Sequence, residues 1–235
     1  DRKRFDAVAA PSSHAKINAA ERTRESIAAM SEPYSAFLKL QIPRGHLAQW
    51  LAAPAPAASR WSDWGAIGGQ WYLCAGKDLA ASSDQDLGRL VAECDAMLAR
   101  HPDNRAALKT ILNSAQAENI RIAAYDRAGT HFVAGSLTYS ENLYDLIVFF
   151  TVARGAADFF AADGHGLAVV HDYLWGEEGE RETVAALGLS GQGGSRFAAP
   201  DEQGDAAGAF ERMVETMLDG KDDPEFHPRD QLDGF

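Results

Sequence analysis

The chain has little that would mark it as a disulfide scaffold, a membrane protein or a nucleic-acid binder. Its 235 residues include only two cysteines, Cys74 and Cys94, too few for a disulfide framework and in no Cys-x-x-Cys pair. Each falls in an apolar pattern and reads as a buried free thiol that packs as a small hydrophobe. No apolar run is long enough to cross a bilayer. The strongest, Leu143 to Phe160, is broken by Asp145, Arg154 and Asp158 and reads as a buried helix, so no membrane insertion of this segment is expected. Basic side chains are scarce: 22 Lys and Arg face 34 Asp and Glu, for a net charge of -12. From Glu177 to Phe235 the balance is 15 acidic to 5 basic. Such a surface repels nucleic acid and anionic lipid, and it steers a basic protein partner inward.

Catalytic and cofactor signatures are missing as well. Gly188-Leu189-Ser190-Gly191-Gln192 departs from the nucleophile elbow GxSxG, because Gln192 stands where the last glycine belongs. Gly191-Gln192-Gly193-Gly194-Ser195-Arg196 has neither the GxGxxG spacing nor the GK[ST] ending of a phosphate loop. No bound cofactor is expected on this reading.

What is present is ordinary globular material, 46% hydrophobic and 24% charged. Residues 1–33 read as an alanine-rich helical segment, residues 34–220 as one domain, and residues 221–235 as a loosely held polar tail. From Tyr34 to Ile42, Ala36, Leu38, Leu40 and Ile42 alternate with Phe37, Lys39 and Gln41, the period of a half-buried strand. Pro43 ends that strand and opens a short helix to Ala53. A short strand is expected over Gln70–Ala75. Leu87, Leu90, Val91, Cys94, Met97 and Leu98 form a helical stripe capped at Ser83. A second helix starts after Asp103 and makes an αα-hairpin with the first.

Two strand-like runs, 119–125 and 130–138, flank an Asp126-Arg127-Ala128-Gly129 turn and predict an antiparallel hairpin. The segment from Ser140 or Asn142 to about Phe160 is apolar nearly all round, which places its helix in the centre of the core. Strands over Leu167–Trp175 and Thr183–Leu189 and an amphipathic helix over Asp205–Leu218 complete the order. The pattern predicts an α+β, mixed α/β domain with a mainly antiparallel central sheet and packed helices.

Three groups of residues are candidates for function. Asp163, His165, His171 and Asp172 bracket an apolar strand; two histidines and a carboxylate suit zinc or hydrolytic chemistry, although no accepted ligand spacing is present, and the expected outcome is no metal requirement. Trp61 and Trp64 lie in a polar stretch (Ser59, Arg60, Ser62, Asp63), where tryptophan is the side chain most enriched at binding hot spots. Glu177, Glu178, Glu180 and Glu182 form the densest acidic run and read as a docking surface for a basic partner.

In character the chain resembles the immunity proteins of bacterial toxin systems: acidic, of medium size, mixed α/β, with tryptophans in a polar loop and no active-site motif. That likeness rests on character rather than on a family motif. It implies a protein partner, a toxin or effector whose active site is blocked. A hydrolase built on His165, His171 and Asp172, or a structural domain of an envelope complex, stand as alternatives. The first residue is Asp1 rather than Met, which suggests a removed leader, tag or anchor and leans toward a periplasmic or exported protein, with a cytoplasmic one as the alternative.

Overall fold

The computed structural model describes residues 33–67, 79–112, 121–125, 130–174, 182–191, 193–199, 201–219 and 232–235. The elements are β1 (Tyr34–Leu40), α1 (Arg44–Ala52), α2 (Asp84–Leu98), α3 (Asn104–Leu112), β2 (Arg121–Tyr125), β3 (Phe132–Ser140), α4 (Leu143–Ala156), β4 (His165–His171), β5 (Thr183–Ser190), β6 (Gly194–Phe197) and α5 (Gln203–Asp219). The expected helix within residues 1–33 and the strand at Gln70–Ala75 lie outside the described residues.

The six strands form one sheet in the order β2-β3-β1-β4-β5-β6, and every neighbouring pair is antiparallel. This is the α+β architecture that the hydrophobic pattern predicts. The alternation in β1 sorts the core into two. Ala36, Leu38 and Leu40 join Phe132, Ala134, Ala168, Val170 and Leu187 in the cluster shared with α1 to α4. Phe37 joins Ile122, Leu137, Val169 and Ala186 on the other side, against Phe210, Met213 and Val214 of α5. The register pairs Phe37 with Gly135, and a Cβ on residue 135 would lie 2.6 Å from the Phe37 ring. Glycine there leaves the space that the ring fills.

Local chemistry starts α1 to α4 where the sequence suggests. Pro43 precedes α1 and lacks the N–H that a first turn would leave unpaired. Ser83 Oγ accepts the Asp86 N–H at 3.2 Å, and Asp103 Oδ1 accepts the Ala106 N–H at 2.8 Å. At α4 the cap is Asn142, whose Oδ1 accepts the Tyr144 N–H at 3.0 Å, while Ser140 Oγ donates to Asp145 Oδ2. Twelve of the fourteen residues of α4 are buried. It is therefore the central helix, as its all-round apolar pattern predicts, and it ends at Ala156 in a 3-10 turn, Ala157–Phe159.

Two expectations are corrected. The glycine-rich segment after Gly188 does not read as strand, yet β6 forms there and pairs with β5 across a tight turn, with Gly193 at φ 74°, the left-handed conformation that ends a short hairpin loop. The polar tail is also not loose throughout. Leu232 is fully buried, and the Phe235 ring lies 5.5 Å from Tyr125 and 5.9 Å from Phe132. Arg105 Nη2 donates to the Phe235 carbonyl at 2.6 Å, and Lys109 pairs with Asp233 at 2.5 Å. Two apolar side chains and two charge-assisted bonds hold Leu232–Phe235 on α3 and the β2-β3 hairpin.

Cys94 sits in the core with its thiol 3.8 Å from the Tyr144 carbonyl. Burial, reinforced by the charges of Asp95, Glu93 and Asp145, pushes its pKa up to about 12. A thiol with that pKa holds roughly one part in ten thousand as reactive thiolate at pH 8. Iodoacetamide should leave Cys94 unmodified in the folded chain and label it once urea unfolds the protein. Rapid labelling without denaturant, read by peptide mass spectrometry, would show that α2 does not shield it. Cys74 lies outside the described residues.

Candidate functional site

The site grows from an anomaly in α4. Arg154 interrupts an apolar helix, and its side chain is 0% exposed. An unpaired guanidinium in that position would carry a large desolvation cost. The loop after α1 supplies the partner. Arg154 Nη1 and Nη2 donate to the two carboxylate oxygens of Asp63 at 2.6 and 2.7 Å, a fork-on-fork pair. Three rings surround the same guanidinium, with Cζ 4.7 Å from the centroid of Trp64, 4.8 Å from Phe197 and 5.2 Å from Trp61.

A second pair braces the other end of the loop. Arg60 donates through both terminal nitrogens to Asp158, Nη2 to Oδ1 at 2.8 Å, and hydrogen bonding to that carboxylate holds the guanidinium above its ordinary pKa. The Ser59 N–H donates to Asp95 Oδ1 at 3.2 Å, tying the loop to α2. The β5-β6 turn closes from the far side: Gly193 N–H donates to the Ala157 carbonyl at 3.2 Å. A Cβ on Gly193 would come within 2.7 Å of Asp158 Oδ1, so glycine is required there by space as well as by φ. The loop, the end of α4 and the β5-β6 hairpin thus converge on one braced platform.

The two candidate tryptophans have different fates on it. Trp64 is 1% exposed and its Nε1–H donates to the Ala58 carbonyl at 2.9 Å. It is a core residue, so the expectation that Trp64 anchors a partner from the surface is corrected. Trp61 is half-buried and stands edge-on to Trp64, ring centroids 6.4 Å apart, with the Arg60 guanidinium 5.0 Å from its ring. Of the pair, Trp61 alone keeps solvent-facing area.

The histidine group does not assemble. His165 and His171 occupy the two ends of β4, so six residues at ~3.3 Å each put them ~20 Å apart, beyond the reach of one ion. His165 is exposed with Nδ1 3.4 Å from the Asp163 carbonyl oxygen. His171 is 1% exposed, its Nδ1 3.2 Å from Thr183 Oγ1 and its ring 4.9 Å from Phe210 under α5. The reading of Asp163, His165 and His171 as one metal set, and of His165, His171 and Asp172 as one hydrolytic centre, is corrected by that separation. Among the described residues no group of three His, Cys, Asp or Glu is placed to hold a metal ion.

Of the acidic run, Glu177, Glu178 and Glu180 lie outside the described residues. Glu182 is exposed at the start of β5, and its carbonyl accepts the Asp172 N–H at 3.0 Å. No helix among the described residues is long and apolar enough to cross a membrane.

Sequence reasoning missed the role of Arg154 and Asp63. The available signal was the charge inside an apolar helix, which demands a carboxylate partner; nothing local says that the partner is Asp63, 91 residues away. Comparison with protein-family models, with curated proteins and with solved structures finds no match to this chain.

Proposed function

We propose that the chain is a non-enzymatic binding protein, and within that class an immunity-type inhibitor that binds and neutralises a cognate toxin. The observation that carries the reading is Trp61, a half-buried indole presented by a loop braced with two bidentate Arg–Asp pairs. A loop already fixed in one conformation has little ordering entropy left to lose on association. A tryptophan on such a base is the type of side chain around which binding energy concentrates. The net charge of -12 favours a basic partner and faster encounter with it.

The test needs the partner, and the product of the gene adjacent to this one is the first to try. Trp61→Ala should speed dissociation, weakening the complex by ~2 kcal/mol or more, about thirtyfold. Replacing Glu177, Glu178, Glu180 and Glu182 with Gln should instead slow association and flatten its dependence on salt, since rim charges act mainly on the rate of encounter. Surface plasmon resonance at several ionic strengths separates the two. A neighbouring product that neither binds nor loses activity with this chain removes the inhibitor reading; equal affinity after all these substitutions moves the site elsewhere.

A further inference from the structure

Among the described residues β6 is the last strand of the sheet, with β5 on one side only. The Ala198 N–H donates to the Ala186 carbonyl at 2.8 Å, which makes that pair a hydrogen-bonded one. Such pairs alternate along an antiparallel ladder. With Gly188 opposite Arg196, Leu187 opposite Phe197 and Leu189 opposite Ser195, Arg196 bonds inward to β5. Ser195 and Phe197 therefore turn their N–H and C=O groups outward. Among the described residues no other backbone group takes these up, and the Arg196 guanidinium approaches the Phe197 carbonyl only at 3.5 Å.

The two faces of this edge differ. On one, the Phe197 ring packs 6.1 Å from Trp64 and shares the Arg154 guanidinium with Trp61. On the other, Arg196 is held bidentately by Glu202, and the pair lines an open cavity of about 280 Å³ together with Leu167, Gly188, Asp205 and Ala206. The bonds from Arg196 and the Ala199 N–H bring the Glu202 carboxyl down to about 2. Glu202 is thus charged at neutral pH, and with Asp205 the cavity has two acidic side chains to one guanidinium.

We propose that the β6 edge is a strand-addition site for an extended segment of the protein partner carrying a basic residue. The inference rests on the reading of the chain as a binding protein. Main-chain bonds to Ser195 and Phe197 supply the pairing. Because side chains alternate across a strand, one residue of the segment falls on the Trp61 side, and the next lays its aliphatic stem over Gly188 with its charge toward Asp205. A four-residue edge offers few bonds, and the side chains on either face supply the selectivity.

The test pans a library of random linear peptides against the intact chain. Affinities of the enriched peptides are then measured by fluorescence polarisation on the intact chain and on Ser195→Pro and Trp61→Ala. Proline at 195 removes an outward N–H and leaves the inward bonds of Arg196 in place, and an edge position tolerates its φ. Enriched peptides with basic residues that bind Ser195→Pro about tenfold more weakly, the cost of a hydrogen bond left unmade, support the site. No enrichment, or equal binding to Ser195→Pro, overturns it. Hydrogen exchange on the intact chain gives a check that does not depend on the variant folding: the Ser195 amide should exchange about 100-fold faster than that of Arg196, and equal protection overturns the proposal. Loss of binding in Ser195→Pro but not in Trp61→Ala keeps the edge and discards the Trp61 anchor. The reverse discards the edge and keeps the anchor.

Discussion

Asp63→Ala should destabilise the fold by about 3 kcal/mol or more, because it leaves the Arg154 guanidinium buried without its counter-charge. The Arg154 side chain is 0% exposed, whereas the Asp63 side chain is 44% exposed. The cost is therefore asymmetric between the two partners. Removing the carboxylate strands a buried cation among Trp61, Trp64 and Phe197. Replacing the arginine with a flexible apolar residue removes the charge that needed solvating. Arg154→Met should accordingly cost less, about 1 kcal/mol, since a buried ion pair exchanged for well-packed apolar volume is often near neutral. Urea denaturation followed by circular dichroism reads both. If Asp63→Ala proves as mild as Arg154→Met, water reaches the guanidinium past Trp61 and the pair is not the brace of the loop. Either substitution also removes one of the two Arg–Asp braces of the 57–67 loop, so binding through Trp61 should weaken even where the fold survives.

Phe150→Ala should cost about 3–5 kcal/mol. Phe150 is fully buried in the middle of α4, 5.3 Å from the Phe149 ring and 5.4 Å from Phe197. The helix is enclosed on nearly all sides, so neighbours cannot close around the missing ring without moving the sheet, and most of its volume persists as a cavity. The same enclosure should make the α4 amides among the last to exchange with solvent, through global unfolding rather than local opening. Exchange in α4 as fast as at the β6 edge, or a loss below 1 kcal/mol for Phe150→Ala, would mean that the core is centred elsewhere. The ring also supports Phe197 from below, and the variant should raise exchange in β6 before it raises exchange in β2 or β3.

Where side-chain periodicity is strong, the elements are legible in the order of residues alone. The alternation of β1, the stripe of α2 and the all-round apolar α4 each bury a face that their own spacing specifies. Their starts are legible too, because a cap such as Ser83 or Asp103 satisfies N–H groups only three residues away. β6 is not, since Gly194-Ser195-Arg196-Phe197 has too few side chains to show a period, and its strand exists by pairing with β5. The spacing of His165 and His171 puts both on one face of β4, but the same spacing sets them ~20 Å apart, and a common site needs proximity rather than orientation.

The two tryptophans show the divide most directly. Trp61 and Trp64 sit in the same polar stretch, and nothing local ranks one above the other. Trp64 goes inside because the Ala58 carbonyl accepts its indole N–H and a guanidinium from α4 needs its π face; Trp61 is left with an open edge. Composition and periodicity determined the acidic character, the α+β class, the central helix and most of the helix starts, because each depends on residues within a turn or two of one another. The strand order, the docking of Leu232–Phe235, the Arg154–Asp63 pair and the choice of exposed tryptophan were decided only by the tertiary structure, because each satisfies a buried or charged group with a partner that the chain reaches solely by folding.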